Sequence, residues 1–231
     1  MRGICVVFAL LSAIGGARAA DLPEGVPPVP AAYNWAGFYL GLNLGGTFAN
    51  LSESATVTGG PLAGAIGPNN STGSAVVGGG QTGFNWQSDR LVFGIEGDFD
   101  FSGLNAKNPP NVGTTVTTTW PALATIRGRV GAAFDRLLVY GTAGAAFNDM
   151  HTTITAPDLG TLFNARQANT GWTAGVGIER AYAANWIARV EYLYVDTDLS
   201  LSGTLIGSGG TLTYTGPLKQ NIVRGGIDYR F

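Results

Sequence analysis

Leu91-Val92-Phe93-Gly94-Ile95-Glu96-Gly97-Asp98-Phe99-Asp100-Phe101 alternates between two chemistries with a period of two. In an extended strand, Leu91, Phe93, Ile95, Phe99 and Phe101 share one face, and Glu96, Asp98 and Asp100 share the other. One side of this strand therefore needs an apolar medium, and the other needs partners for three carboxylates.

The same alternation extends along the chain. Phe38, Leu40, Leu42 and Leu44 oppose Tyr39, Gly41, Asn43 and Gly45. Trp120, Ile126, Val130 and Phe134 oppose Arg127 and Arg129. Trp172, Ala174, Val176 and Ile178 oppose Thr173, Gly175, Gly177 and Glu179. Trp186, Val190, Tyr192 and Tyr194 oppose Arg189 and Glu191. Val223, Ile227, Tyr229 and Phe231 oppose Arg224, Asp228 and Arg230. With two Gly/Ala-rich segments, 75–87 and 137–149, whose facing is less definite, eight strands are expected: 35–49, 75–87, 91–103, 119–134, 137–149, 170–182, 186–198 and 218–231.

The connections alternate in length. Ser88-Asp89-Arg90, Asp135-Arg136 and Ala183-Ala184-Asn185 are tight turns, whereas 50–74, 104–118, 150–169 and 199–217 read as long polar loops. An even number of antiparallel strands, with short turns at one end and long loops at the other, describes an all-β, up-and-down transmembrane β-barrel. Segments of this length exceed the roughly 9–11 residues a tilted strand needs to cross a bilayer. Both termini then lie on the periplasmic, short-turn side.

Alternation alone fits a soluble lipocalin-like barrel as well, with charges outside and aromatics lining the calyx. Charge placement favours the membrane. An Arg facing lipid at the midplane costs roughly 2–4 kcal/mol. Glu96, Asp98, Asp100, Glu179, Glu191 and Asp228 are therefore expected to meet Arg127, Arg129, Arg189, Arg224 and Arg230 in a lumen charge network that fills a narrow interior. Aromatics cluster at both strand ends, as two interfacial girdles require. Trp35, Trp86, Phe134, Tyr182, Trp186, Tyr229 and Phe231 lie near the short turns, and Phe48, Phe101, Trp120, Phe147, Trp172 and Tyr194 near the long loops.

Composition narrows the function. Among 231 residues, 36 are Gly and only 12% are charged, against about 25% in ordinary soluble domains. Thirteen basic against 15 acidic residues give no basic excess for nucleic acid. One Cys and one His leave no disulfide framework and little for metal ligation, so no cofactor is expected. Arg2 precedes the apolar run Ile4 to Ile14, and Ala17-Arg18-Ala19 supplies an A-x-A cleavage site: residues 1–19 read as a secretory signal peptide. Its removal takes away Arg2, Arg18 and Cys5 and shifts the formal net charge from −2 to −4. Residues 20–34, with Pro23, Pro27, Pro28 and Pro30, read as an extended periplasmic linker before a barrel over 35–231.

The chain ends Arg224-Gly225-Gly226-Ile227-Asp228-Tyr229-Arg230-Phe231. With Arg224, Gly226, Tyr229 and Phe231 in place, this resembles the C-terminal assembly signal of bacterial outer-membrane barrels, a strand edge suited to β-augmentation. Asn34-Trp35-Ala36-Gly37-Phe38-Tyr39-Leu40-Gly41-Leu42-Asn43 resembles the opening strand of the small Gram-negative outer-membrane β-barrel proteins, the porin-family surface-antigen type. Gly171 to Glu179, Asn185-Trp186 with Val190 to Asp196, and the last strand resemble the same family. The resemblance covers residues 34–231 and implies an outer-membrane protein with a structural, envelope-integrity or surface-antigenic role and no catalytic residues. It implies outer-membrane lipids, lipopolysaccharide and the barrel-assembly machinery as partners. Contact of the linker with the periplasmic cell wall stays open, as does a monomer against a weak oligomer.

Two other functions compete. A small-solute porin would want more strands and an unpaired charged ring. A hydrolase would want a His beside a nucleophile. The single His151, between Asp149 and Thr152-Thr153, reads as a solvated side chain where a strand enters a loop. Gly59-Gly60 and Gly78-Gly79-Gly80 lack the context of a phosphate loop. Asn70-Ser71-Thr72 matches a glycosylation pattern of little weight here, and Asp196 and Asp198 read as solvated strand-end charges.

Overall fold

The computed structural model describes residues 32–60, 63–108, 115–156, 160–206 and 209–231. The expected signal peptide, residues 1–19, and most of the expected linker lie outside them. Eight strands run in chain order: β1 (Gly37–Thr58), β2 (Gly64–Ser88), β3 (Leu91–Asn108), β4 (Thr115–Phe134), β5 (Leu137–Ala156), β6 (Gly160–Ala181), β7 (Trp186–Thr204) and β8 (Thr211–Arg230). Each pairs antiparallel with its neighbour in sequence, and β1 pairs with β8 to close the barrel.

Closure removes the sheet edges that hydrocarbon cannot tolerate. Asp89 and Asp135 turn the chain at two tight connections with φ of 52° and 54°. That left-handed conformation is one that Asp tolerates better than most non-glycine residues.

In the short-turn half, the apolar face points out. Leu42, Ile95, Ile126, Val176, Val190 and Ile227 are all more than half exposed on the barrel exterior, as hydrocarbon contact requires. The exposed rings form two bands. Trp86, Phe134, Tyr182, Trp186, Tyr229 and Phe231 lie toward the short turns, and Phe48, Phe101, Phe147 and Trp172 lie higher up.

The other half corrects the sequence reading. The segments 50–74, 104–118, 150–169 and 199–217, expected as long loops, are mostly strand, and the connections between the long hairpins are short. The period of two continues there, but the chemistry of the faces is exchanged. On β1, Leu40, Leu42 and Leu44 point out, whereas Leu51, Ala55 and Val57 point in and are buried. On β7, Val190 points out, whereas Leu199 and Leu201 point in, with Ser200 and Ser202 outside. The physical reason is the medium: above the bilayer the exterior is water, so the apolar side turns to the lumen.

Two aromatic placements are also corrected. Trp120 is buried in the barrel interior, not in the outer girdle. Register shifts between Phe101/Leu104 and Thr119/Ala122 mark a bulge at Pro121, which reverses the facing of β4 above it. Pro has no N–H to give to the ladder, so a bulge is where a strand tolerates it. Trp35 is fully buried at the short-turn end.

Candidate functional site: the sealed lumen

The lumen is filled in layers. At the short-turn end, Tyr33, counted with the linker by sequence, and Trp35, counted with the first strand, form a plug instead. The Tyr33 amide donates to Asp135 Oδ1 at 3.1 Å, and its hydroxyl to the Ala184 carbonyl at 3.1 Å. The Trp35 amide donates to Gln87 Oε1 at 2.6 Å, and its Nε1 to the Asp135 carbonyl at 3.0 Å. One short segment thus ties all three tight turns together. Its rings pack on Val92, Ala133, Leu138, Tyr140, Ala181 and Ile187.

Above the plug lies the charged layer. Arg127 meets Glu96 at 2.5 Å, Asp98 at 2.8 Å and Glu191 at 3.0 Å. Arg129 meets Glu179 at 2.6 Å and Glu96 at 3.4 Å. Arg189 meets Glu96 at 2.7 Å, Asp228 at 2.8 Å and Glu179 at 3.1 Å. Arg224 meets Asp100 at 2.5 Å, Glu191 at 2.8 Å and Asp98 at 3.1 Å. These residues come from β3, β4, β6, β7 and β8 and are all buried. Sharing lets one guanidinium satisfy several carboxylates, which a buried charge requires.

Arg230 is the exception. It is in phase with the lumen, but it sits beyond the layer, at the plug. There it donates to the carbonyls of Ala36 at 3.5 Å and Ala184 at 3.3 Å, and its guanidinium lies 4.6 Å from the Tyr33 ring centre. The layer therefore holds six carboxyl groups against four guanidiniums, rather than the near balance read from sequence. Asp100 and Asp228 each meet one Arg, whereas the other four each meet at least two.

Neutral groups complete the layer, and composition did not single them out. The Tyr39 hydroxyl donates to Glu96 at 2.5 Å and accepts from Arg129 at 2.9 Å. The Tyr140 hydroxyl donates to Glu191 at 2.9 Å, and Arg129 stacks 3.9 Å over its ring. Thr125 donates to Asp98 at 2.7 Å, and Gln81 to Asp228 at 2.7 Å. A signal for the two tyrosines existed in the glycines facing them. A Cβ at Gly83 would stand 2.4 Å from the Tyr39 hydroxyl, and one at Gly177 2.4 Å from the Tyr140 ring. Each ring lies flat across a strand that only Gly leaves open.

Two apolar layers follow: Val77, Leu123, Ala146, Leu193, Val195 and Ile222, then a larger cluster that includes Leu51, Leu104, Trp120, Phe163 and Leu201.

Outside the lumen, His151 lies on β5 rather than at a loop entrance, and its Nε2 faces Asn164 Oδ1 at 3.0 Å. Thr152 points inward to Thr118. Asp149 is forked by Arg166, whose Nε bonds both carboxylate oxygens and whose Nη2 bonds one, and this holds the Asp149 carboxyl below the usual carboxylate range. Asp196 and Asp198 lie within β7, Asp196 in register with Lys219. Asn70 lies on β2. No group of three or more His, Cys, Asp or Glu placed to hold a metal ion occurs among the described residues.

A closed antiparallel barrel with an apolar girdle and charged lumen can be compared with known proteins. The family model for the outer membrane protein beta-barrel domain matches residues 6–231. The chain belongs to the outer-membrane β-barrel family.

It is 30% identical to the 31 kDa outer-membrane immunogenic protein of Brucella melitensis, over 98% of this chain and 99% of the relative. It is 32% identical to the 25 kDa outer-membrane immunogenic protein of Brucella abortus, over 99% and 97%. It is 31% identical to a 22 kDa outer membrane protein of Rhizobium leguminosarum bv. viciae, over 88% and 82%. The outer-membrane barrel thus takes its place in the outer membrane, with its short-turn end and plug toward the periplasm and its long hairpins outside the cell.

Proposed function

We propose that this outer-membrane barrel works as a closed structural and surface element of the envelope, neither a solute porin nor a hydrolase. The observation that carries this reading is the continuous filling of the lumen from Trp35, through Arg127 and Arg224, to Leu193 and Leu218, all of them 1% exposed or less. An ion following the axis would have to displace a hydrogen-bonded plug, a shared charge network and two apolar layers. A porin keeps its ring of charges solvated and unpaired; here each guanidinium of the layer is committed to at least two carboxylates. Against hydrolysis, the ring of His151 faces Asn164, and among the described residues no Ser or Thr hydroxyl bonds it.

The remaining partners follow from exposed features. Outer-membrane lipid and lipopolysaccharide cover the apolar girdle. The barrel-assembly machinery reads the last strand, where Tyr229 and Phe231 face outward; Gly226 and Arg224, in the same motif, lie on the lumen side, where a Cβ at Gly226 would stand 2.8 Å from the Leu42 carbonyl. The hairpins present mostly Ser, Thr and Asn to the outside and suit surface contacts of a monomer or weak oligomer. The proline-rich stretch 23–30 makes the periplasmic cell wall one further candidate partner.

Conductance of the refolded barrel in a planar bilayer tests the reading. The expected result is a silent membrane at concentrations that give full insertion. A stable, large unit conductance overturns it.

A further inference from the structure

Ladder pairing is not continuous around the extracellular half. β7, β8, β1 and β2 stay bonded to one another up to Thr204↔Thr211, Thr58↔Thr211 and Val57↔Gly64. β3, β4, β5 and β6 stay bonded up to Asn108↔Val116, Thr115↔Thr155 and Ala156↔Gly160. Between these two four-stranded lobes pairing stops early, at Val77↔Ser102 for β2/β3 and at Gly171↔Thr197 for β6/β7. Above the membrane the barrel is two facing sheets with two seams.

The seams differ. β6/β7 is tethered by Ser200 N–H to Asn169 Oδ1 at 3.1 Å and by Ile206 N–H to the Leu162 carbonyl at 2.8 Å. Across β2/β3 no ladder pairing joins 64–76 to 103–108, and among the described side chains, those of 70, 72–76 and 103–105, none bonds across it; Gly73 lies against Leu104 and Asn105, and Gly103 against Ala75. This seam starts beside Phe101, an exposed residue of the upper aromatic band. It encloses a cavity of about 10 Å³ between Thr72, Gly73, Leu104 and Asn105, with Leu51 and Trp120 inside. The Trp120 side chain lining this cavity is buried, and its Nε1–H has no acceptor among the described residues. A buried indole N–H usually finds a partner. An orphaned donor in an apolar chamber, next to an unpaired seam, is an acceptor site left open.

We infer that the β2/β3 seam is a lateral entrance to a binding site in the extracellular chamber for a small apolar molecule carrying one hydrogen-bond acceptor, which Trp120 Nε1 receives. The closed cavity has room only for the acceptor atom, so the lobes part at β2/β3, with β6/β7 as the hinge, to admit the apolar remainder among Leu51, Leu104 and Leu218. The charged layer below stops it there. This goes beyond a closed structural barrel and does not need solute passage.

The test uses indole N–H signals of the full barrel in lipid nanodiscs, titrated with 2-undecanone, with Trp120 assigned by Trp120→Phe. The site predicts a saturable downfield shift of the Trp120 N–H, while that of Trp35, already bonded to the Asp135 carbonyl, stays still. A paired variant closes the seam. The Cβ atoms of Ala75 and Gly103 would stand 3.9 Å apart, within the disulfide range, so Ala75→Cys with Gly103→Cys staples β2 to β3. In the oxidised form the Trp120 response is lost, and reduction restores it. If only the lipid-facing indoles of Trp86, Trp172 and Trp186 respond, the ketone merely partitions into lipid and the site does not exist. A Trp120 response that survives stapling rules out this entrance.

Discussion

Arg224 concentrates the physics of the interior. Its guanidinium bonds carboxylates from β3 and β7 while its backbone sits on β8, so one buried side chain cross-links three strands. Among the described residues, truncation would strip Asp100 of its one guanidinium and leave Asp98 and Glu191 each with Arg127. Breaking a buried pair by removing one partner costs about 3–5 kcal/mol. Arg224→Ala is therefore expected to lower unfolding stability in lipid vesicles by that order, as measured by urea titration; an unchanged midpoint would mean that the network does not hold the barrel. At the outer surface the same chemistry is weak. Arg166 is solvated, so its fork on Asp149 is screened and adds little. Its signature is in titration. The depressed Asp149 carboxyl favours the native state above the unfolded carboxylate value, and that advantage is lost as pH falls through the folded one. NMR titration should place the Asp149 midpoint below an ordinary aspartate, and Arg166→Gln should return it to ordinary. An ordinary midpoint in the unsubstituted protein would contradict the fork.

At the scale of the strand, what the sequence reveals depends on which medium a residue meets. In the bilayer half, lipid outside enforces a single phase, and Leu91 to Phe101 or Trp186 to Glu191 could be read by eye. In the extracellular half the apolar residues are inward and thinner, and the outward Ser and Thr of β7 or β8 look like loop. The period does persist there, as in Leu199-Ser200-Leu201-Ser202, but its short outward Ser residues make 199–217 read as loop. Trp120 was misassigned because a bulge reverses facing without changing composition. Trp35 was misassigned because a ring near a short turn can equally face lipid or stop the mouth. Arg230 keeps the lumen's phase but lies past the lumen's depth, which alternation does not encode. The seam is a property of pairing alone and has no composition at all. It should show in hydrogen exchange: amides of residues 72–76 and 103–105 are expected to exchange faster than those of 81–87 and 92–98, where β2 and β3 are laddered. Equal protection would mean that the seam is bonded in solution.

The barrel stacks four environments along one axis: a plug tied to the turns, a shared charge layer, an apolar collar and an extracellular two-lobed chamber. The exterior changes in step, from an apolar girdle between aromatic bands to a polar hairpin surface. All of this depends on the direction in which each strand presents its faces to the bilayer. Methyl-to-acyl-chain nuclear Overhauser contacts in nanodiscs read that direction without altering the protein. Ile126, Val176, Val190 and Ile227 should contact lipid, and Leu193, Val195 and Ile222 should not. Lipid contacts at Leu193 and Ile222, with none at Val190 and Ile227, would contradict the account.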